Sequence, residues 1–308
     1  MTARVRVAAG ADRAAPERPT RSQLEAYRDH QFRRRPARRL RDEREARDFV
    51  EAVGFCSTFY RFPDGVACLW EAVVGRANPR WPRRSHHDAG VGRTWDLKDT
   101  LPARRWVYYG KMLRGRPTLV ALDLFPAFYA LVRGRQRSRD YRVEYEAGRL
   151  SHTAKRLMDV LARRHPLYTR EWRAECFLLG SGRTREFERA VAELQQALFV
   201  VKTEERYEPS FSYRWDLVDA WLSDAVRAGR RLGRATAARL LLARYLRGAG
   251  WASAWQLARL FGLERAETLA ALATLVRAGE VRAPVRVAGL PGEWVVHRDA
   301  FPQSGRAG

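Results

Sequence analysis

Residues 150–215 constrain the fold more than any other part of the chain, because helical and strand periodicities follow one another there in a fixed order. Apolar residues recur at helical spacing after Ser151, a residue able to cap a helix, and this pattern stops before Pro166. An alternating hairpin follows two further helical stretches. The pattern predicts helices over residues 151–165, 170–176 and 183–198 and strands over 199–203 and 211–215. Three helices followed by a two-stranded hairpin are typical of a winged helix.

The third predicted helix is the one that a winged helix presents to a nucleic acid. Four polar residues lie at its entrance or opposite its apolar stripe, namely Arg183, Arg185, Arg189 and Gln196. Guanidinium groups in these positions favour phosphate contacts, and the free N–H groups at the helix entrance add to that attraction. The alternative is a solvated face on which Arg185 and Arg189 pair with Glu186 and Glu193.

The charge of the chain favours a polyanionic partner. The 308 residues carry a formal net charge of +23 at pH 7. Residues 1–41 hold twelve Arg and four acidic residues, or +8, which leaves +15 on the remainder. A basic surface of this size attracts nucleic acid, and we expect double-stranded DNA as the partner. Residues 1–41 show little periodicity and are expected to form a flexible basic arm.

The winged-helix pattern occurs a second time near the C-terminus. Its third helix begins with Glu264 and Glu267, which are poor partners for phosphates, so we expect this copy to be structural or to meet DNA through its wing. The predicted fold is α+β and mainly helical. It has tandem winged-helix domains, 150–230 and 231–308, behind an N-terminal α+β, winged-helix-like domain and its linker, 42–149.

Shorter patterns fill in the N-terminal domain. They predict helices over residues 42–53, 68–74, 95–101 and 124–131 and strands over 55–62, 106–112 and 118–122. Thr94 is the expected cap of the helix that Pro102 ends, and residues 76–93 are expected to form a basic loop. A polar linker is expected over 133–149, and a single helix over 217–228.

Several classes of protein are excluded or disfavoured. Three cysteines at wide spacing argue against a disulfide scaffold and favour a reducing cytoplasm. His86, His87 and Asp88 match no common zinc spacing, so we expect no metal and no other cofactor. The longest apolar run, 119–132, is too short to span a bilayer, and no signal peptide is visible. We expect a monomer, because no dimerisation heptad is present, located in the cytoplasm in association with the nucleoid.

Three stretches carry a resemblance to a known family: VGFCSTF (53–59), CLWEAV (68–73) and TWDLKDTLPARRWVYYGKMLRGRPTLVALDLFPAFYAL (94–131). Together with the tandem winged helices, they resemble a divergent branch of the bacterial crosslink-repair DNA glycosylase superfamily, which includes the YcaQ and AlkZ proteins. The resemblance covers residues 42–300. It implies a concave basic surface formed by winged-helix domains, and excision of alkylated bases from duplex DNA.

The chain departs from that family at the catalytic motif. Active members carry Gln-x-Gln or Gln-x-Asp shortly after their first helix, where the motif positions the attacking water. None of the seven glutamines stands in either pattern, and the expected place reads Gly54-Phe55-Cys56-Ser57-Thr58. The resemblance therefore supports DNA binding better than it supports catalysis.

Two carboxylates in the family-like stretches are candidate catalytic groups. Excision of a cationic base needs a negative group near the developing oxocarbenium ion. Glu71, beside Trp70, and Asp99, beside Lys98, could supply it. The alternative for Glu71 is a carboxylate on the helix surface that pairs with an arginine.

The predicted hairpin around residues 106–122 offers further candidates. Lys111, Arg104 and Arg105, with Arg114 and Arg116, are candidate phosphate contacts, although scattered solvated charge explains them nearly as well. Trp106, Tyr108 and Tyr109 are candidates for a stacking wedge, with a core role as the alternative, and Tyr108 and Tyr109 point to opposite faces of a strand.

Three functions compete on these observations. The first is a repair protein of the glycosylase type, either active or reduced to lesion recognition. The second is a winged-helix transcription regulator without catalytic activity. The third is a scaffold that associates with proteins or RNA. A preference for damaged duplex separates the first from the others, and a palindromic site with a dimer would favour the second.

Overall fold

The computed structural model describes residues 18–134 and 140–302. Its first element is a helix, α1 (Arg21–Gln31), and Thr20 and Gln23 form a capping box at its N-terminus. Leu24 on this helix is fully buried, and the Tyr27 hydroxyl donates to the Arg247 carbonyl at 2.8 Å. The prediction of a flexible arm is therefore wrong for residues 18–41, because α1 docks on the C-terminal part of the chain. Residues 1–17 lie outside the described residues.

The first unit has winged-helix order. Its elements are α2 (Glu43–Val53), β1 (Phe55–Ser57), β2 (Ala67–Cys68), α3 (Leu69–Val74), α4 (Ala89–Ala103), β3 (Val107–Leu113) and β4 (Arg116–Ala121). The sheet order is β2-β1-β4-β3, with β1 parallel to β2 and antiparallel to β4. Asp42 caps α2 by accepting from the Glu45 N–H at 2.8 Å, and Gly54 ends it, as the sequence predicts.

The predicted start and end of α4 are wrong. The cap is Asp88, which accepts from the Val91 N–H at 2.8 Å, so the helix begins at Ala89, more than one turn before Thr94. The Thr94 hydroxyl instead donates to the Gly90 carbonyl at 2.7 Å, as a mid-helix threonine can. Pro102 lies inside the last turn, where it removes one hydrogen bond without ending the helix.

Two helices follow the first unit. They are α5 (Phe125–Arg133) and α6 (Tyr141–Glu146). The predicted polar linker therefore contains a helix where Asp140 provides a cap by accepting from the Arg142 N–H. Residues 135–139 of that linker lie outside the described residues.

The second unit is the winged helix predicted over residues 150–215. It comprises α7 (His152–Leu161), β5 (Leu167–Tyr168), α8 (Thr169–Glu175), α9 (Thr184–Gln196), β6 (Val200–Arg206) and β7 (Ser212–Leu217). The short strand β5 has no periodicity of its own to predict it, and it pairs with β7 to give the sheet order β5-β7-β6. Trp172 is fully buried at the centre of this unit.

Helices α10 (Val218–Trp221) and α11 (Ser223–Arg231) follow β7. The third unit then repeats the order of the second, with α12 (Arg234–Ala249), β8 (Trp251–Ala252), α13 (Ala254–Phe261), α14 (Arg265–Arg277), β9 (Val281–Val285) and β10 (Trp294–His297). The single helix predicted over 217–228 is divided at Leu222, whose φ and ψ of −126° and 44° are not helical. The predicted class, α+β and mainly helical with tandem winged helices, is confirmed. No helix within the described ranges is long and apolar enough to cross a bilayer.

The three units do not have three separate cores. The first and third share one apolar cluster, in which Phe55 meets Phe128 and Phe261 edge to face at 5.4 and 5.7 Å. Gly54 lies at this junction with φ of 83°, and a Cβ there would collide with Leu124 at 2.8 Å and with the Arg244 side chain. The second unit has an apolar cluster of its own, built around α7, α8 and α9.

Candidate nucleic-acid interface

The outer face of α9 carries two arginines without ion-pair partners. Arg185 and Arg189 are exposed, and neither forms an ion pair with any residue that the structure describes. Glu186 instead accepts from Arg183 at 2.7 Å and from the Thr153 hydroxyl at 2.8 Å. Glu193 accepts from the Ser151 N–H at 2.5 Å. The alternative in which these two glutamates neutralise Arg185 and Arg189 is therefore absent.

The inner side of α9 packs against β3 of the first unit and leaves a cavity of about 420 Å³. Lys111 and Tyr109 line the cavity from β3, and Thr184, Glu188 and Gln195 are among the residues that line it from α9. Gln196 follows on α9 beside the β3–β4 turn, where its Nε2 lies 3.7 Å from the position of a Cβ at Gly115. The structure therefore brings Lys111 of β3 next to α9, the helix that carries Arg185, Arg189 and Gln196.

Arg104 and Arg105 lie elsewhere and already have partners in the protein. The Arg104 guanidinium pairs with Glu43 at 2.8 Å and lies 5.0 Å from the Trp106 ring centroid. The Arg105 guanidinium stacks 3.9 Å over Trp221 of α10. A guanidinium that is stacked and paired within the protein has to leave those contacts before it can bind a phosphate.

Four charged side chains meet at the junction between the first unit and the wing strand β6. We call Lys98, Asp99, Lys202 and Glu205 the charge quartet. Lys98 Nζ lies 2.7 Å from Glu205 Oε1 and also contacts Asp99, while Lys202 Nζ lies 3.2 Å from Asp99 Oδ1 and also contacts Glu205. The Tyr207 hydroxyl oxygen lies 3.2 Å from Asp99 Oδ2 and 3.2 Å from Glu205 Oε2, so its single proton can be donated to either carboxylate. The group is neutral in sum and mostly buried, with Asp99 the most exposed member at 15%.

The quartet shifts the ionisation of its members. Burial alone would raise the pKa of the Glu205 carboxyl, but the facing Asp99 and the two ammonium groups lower it to about 2. Burial and the facing Glu205 carboxyl raise the pKa of Asp99. Burial and the neighbouring Lys98 ammonium lower the pKa of Lys202. Perturbed groups gathered beside a cavity are typical of functional sites and of structural ion-pair networks.

The two candidate catalytic carboxylates lie in different surroundings. Asp99 belongs to the charge quartet, beside the α9–β3 cavity that Lys202 also lines. Glu71 is 1% exposed, and its Oε2 accepts from Arg34 at 2.7 Å while its Oε1 accepts from the Asn78 N–H at 2.8 Å. The alternative for Glu71 was a carboxylate on the helix surface that pairs with an arginine. The structure has the pair, with Arg34, but it is buried. Both Glu71 oxygens thus accept hydrogen bonds from other parts of the chain.

The aromatic residues of the β3 segment lie in the protein interior or against its own arginines. Tyr108 is 1% exposed, and its hydroxyl lies where a Cβ at position 110 would be, so Gly110 is required there. Trp106 lies between the guanidinium groups of Arg47 and Arg104, at 5.4 and 5.0 Å. Tyr109 contacts the quartet, with Lys202 Nζ 4.7 Å from its ring centroid. None of the three is an exposed wedge.

The segment at the expected place of the catalytic motif is buried. Ser57 is fully buried in β1, and its hydroxyl donates to the Ala67 carbonyl at 3.3 Å. Burial raises the pKa of the neighbouring Cys56 thiol. Among the described residues, no three His, Cys, Asp or Glu side chains are grouped so that they could hold a metal ion.

Sequence reasoning missed Lys202 and Glu205, which come from the wing strand of the second unit. One signal was available, because the chain has 58 basic residues of which only Lys98, Lys111, Lys155 and Lys202 are lysines. Two of these belong to the quartet, and Lys111 lines the adjoining cavity. An ammonium group is more compact than a guanidinium, and Lys98 and Lys202 use it to contact the two carboxylates of the quartet.

Comparisons with known proteins identify the family and agree with the fold. A family model described as AlkZ related matches residues 40–262. The fold is similar to the solved structure of Streptomyces sahachiroi DNA glycosylase AlkZ, with a TM-score of 0.58 and 13% sequence identity over 92% of this chain and 71% of that chain. A comparison with curated protein sequences returned no match.

Proposed function

Because the chain belongs to the AlkZ-related family, we propose that it is a DNA-binding protein that recognises damaged duplex DNA, with the outer face of α9 as its main contact. The observation that carries the proposal is the pair of exposed arginines without ion-pair partners among the described residues, Arg185 and Arg189. An unpaired guanidinium is free to bind phosphate. Arg183, Lys111 and Gln196 flank the same helix and extend the contact.

A substitution pair tests the contact. Replacing Arg185 and Arg189 by alanine is expected to lower duplex affinity by about tenfold and to reduce the slope of log affinity against log salt by about 2. The measurement is fluorescence anisotropy of a labelled duplex over several salt concentrations. The matched control is Arg265→Ala, at the exposed start of the equivalent helix α14, which opens next to Glu264 and Glu267. We expect the control to change neither quantity.

The same assay tests damage recognition. We expect tighter binding to a duplex with an abasic-site analogue than to the same intact duplex. Equal affinities for both duplexes would contradict damage recognition, and a preference for one palindromic sequence would favour a transcription regulator. An unchanged salt slope in the double variant would contradict the assignment of the α9 face.

Base excision is a separate proposal, and we place it at Asp99. In that reaction the bond between C1′ and the base nitrogen breaks with its electron pair leaving on the base, a water oxygen bonds to C1′, and the water gives up a proton. A carboxylate stabilises the developing positive sugar and accepts the proton. Asp99 is the most exposed carboxylate of the quartet, and the facing Glu205 with burial raises its pKa, as suits a group that exchanges protons.

Two conservative variants test the excision proposal on duplexes carrying an N-alkylated purine. Asp99→Asn is expected to lower the excision rate by about 100-fold or more while duplex affinity is kept. Glu71→Gln is expected to leave the rate unchanged at temperatures where the variant is folded, because its carboxylate is buried on Arg34. Excision by Asp99→Asn at the normal rate, or none by the unsubstituted protein on any such duplex, would contradict the proposal without affecting DNA binding.

A further inference from the structure

Four aromatic side chains of the first unit form one cluster at the surface: Phe59, Trp70, Trp81 and Trp95. The Phe59 ring is at its centre, with centroid distances of 5.0 Å to Trp95, 5.6 Å to Trp81 and 6.0 Å to Trp70. Trp81 and Trp95 are 54% and 47% exposed, although both are large apolar side chains. Exposed indoles gathered around a common ring form a patch and not scattered surface residues, and such patches mark binding sites.

The cluster rests on regular structure. Trp70 is 5% exposed on α3, and its backbone N–H donates to the Thr58 carbonyl at 3.1 Å, which ties the segment carrying Phe59 to that helix. Trp95 projects from α4, and Trp81 lies in the segment between α3 and α4. Trp81 also contacts Trp70, with ring centroids 5.2 Å apart. Two helices therefore hold Trp70 and Trp95, and the rings of Phe59 and Trp81 pack on them.

The segment that carries Trp81 is rich in arginines without acidic partners. Within the described ranges, no ion pair involves Arg76, Arg80, Arg83 or Arg84 of this segment, or Arg93 in the second turn of α4. The nearby carboxylate of Asp88 is occupied as the cap of α4. Aromatic rings on which bases stack, flanked by cations that hold the phosphates, are the combination by which proteins bind single-stranded nucleic acid.

One side of the cluster adjoins the charge quartet. Lys98 Nζ lies 4.7 Å from the Trp95 ring centroid and 2.7 Å from Glu205 Oε1. Trp95, Lys98 and Asp99 share one face of α4 at helical spacing. A planar group stacked on Trp95 would therefore lie next to the carboxylate to which we assign excision.

We infer that the aromatic cluster is a stacking site for an unpaired nucleobase, namely a base that has left the duplex stack or lies in a single strand. A paired base cannot offer its face to an indole, so the occupant must be unpaired. The arginines around Trp81 would hold the phosphates on either side of it. This inference rests on the proposed DNA binding, but it concerns the base and not the duplex backbone.

Short single strands test the stacking without a duplex. A fluorescein-labelled hexadeoxyadenylate and a hexamer of the same backbone without bases carry equal charge, so the ratio of their affinities reports stacking alone. For the full chain we expect the base-containing strand to bind about tenfold more tightly. Trp81→Ala, alone and with Trp95→Ala, is expected to remove this preference while binding of the base-free strand is kept. Trp255→Ala, at an indole that is 64% exposed in the third unit, is the matched control.

The outcomes separate this inference from the proposed function. Equal affinities for the two strands, no binding of either, or a preference that survives in both tryptophan variants would overturn the stacking site. Loss of duplex binding in the Arg185→Ala, Arg189→Ala variant with the strand preference intact would support both assignments as independent. Because Trp81 is exposed and lies outside the helices, Trp81→Ala is expected to keep the circular dichroism of the parent chain.

Discussion

Lys98 and Lys202 provide the two cations of the charge quartet in a chain whose other basic residues are almost all arginine. An ammonium group is compact and can approach two carboxylates and an aromatic face at once, whereas a planar guanidinium needs more room. Lys202 Nζ does this, lying 3.2 Å from Asp99 Oδ1 and 5.1 Å from the Tyr213 ring centroid. The compact shape of the lysine ammonium group therefore allows the first unit and the wing strand β6 to pack against each other at the quartet.

The pH dependence of stability tests the quartet at the residue scale. Glu205 has a pKa of about 2 in the folded protein against an ordinary 4.5, so its contribution is complete above pH 4.5 and is lost as the pH falls towards 2. We expect Glu205→Gln to lose about 2 to 4 kcal/mol at neutral pH, because two buried ammonium groups then face one carboxylate. The gap between the variant and the parent should narrow on acidification. Urea unfolding at several pH values measures both effects.

The matched control is Glu204, the residue that precedes Glu205 in β6. Glu204 pairs with Arg214 at 3.2 Å and is 43% exposed, so Glu204→Gln is expected to change the free energy of unfolding by less than about 1 kcal/mol at any pH. Similar losses in the two variants, or parallel stability curves for Glu205→Gln and the parent, would contradict the assignment.

The third helices of the second and third units show how one element type can carry different surfaces. The outer face of α9 is basic, with Arg185 and Arg189 free of ion pairs within the described residues. Helix α14 instead exposes Leu269 and lines a groove of about 860 Å³ with mostly apolar side chains. That groove contains no paired acid and base, so its size does not make it a catalytic site. The two elements share backbone order but not surface chemistry.

Helix α1 lies in a segment of low periodicity, and substitutions in it test whether its docking contributes to the free energy of unfolding. Leu24 is fully buried in a cluster with Trp251 and Val296, and Arg28 donates to the Ala249 carbonyl at 2.8 Å. Leu24→Ala is expected to lower the free energy of unfolding by about 2 to 5 kcal/mol, because it leaves a cavity. Arg21→Ala on the exposed face of α1 is the control, with an expected change below about 1 kcal/mol. A thermal shift equally small for both variants would mean that α1 is not docked in solution.

At the scale of the whole molecule, the apolar clusters divide the chain differently from the order of its units. The first and third units share a cluster across Phe55, Phe128 and Phe261, although they are separated in sequence by the second unit. The second unit is built on its own cluster around Trp172. We expect a protein arranged in this way to have two cooperative parts, joined by the α9–β3 contact, by the charge quartet and by Leu198 and Val201 of the second unit, which belong to the shared cluster.

Hydrogen exchange measured by mass spectrometry tests this division. Leu157→Ala, in the second unit, is expected to speed exchange in α7, α8 and α9 while α2 and α12 keep their protection. Leu241→Ala, in the shared cluster, is expected to speed exchange in α5 and α12, and in α2 of the first unit as well. Both leucines are fully buried, so their substitutions are matched in chemistry and burial. A uniform increase over all three units in either variant would contradict two cooperative parts.

The sequence by itself determined the elements whose signals are local. Helical spacing, caps and strand alternation predicted α2, α3, α7, α9 and both wings, because each depends on contacts a few residues apart. The same reasoning placed Arg185 and Arg189 opposite the apolar stripe of α9. It failed at β5, because pairing with β7 is a long-range contact. At the starts of α1 and α4 it missed local signals, namely the capping box of Thr20 and Gln23 and the Asp88 cap, while the docking of α1 on α12 is a long-range contact.

Only the tertiary structure decided which charges are free and which are paired. Arg104 and Arg105 are basic residues in polar stretches of the sequence, as Arg185 and Arg189 are. In the structure, however, Arg104 pairs with Glu43 and Arg105 stacks on Trp221. Asp99 and Glu205 meet across more than one hundred residues, and Trp81 reaches Phe59 through a segment without periodicity. Such partners come together only when separate parts of the chain pack against each other, and no spacing along the chain records that step.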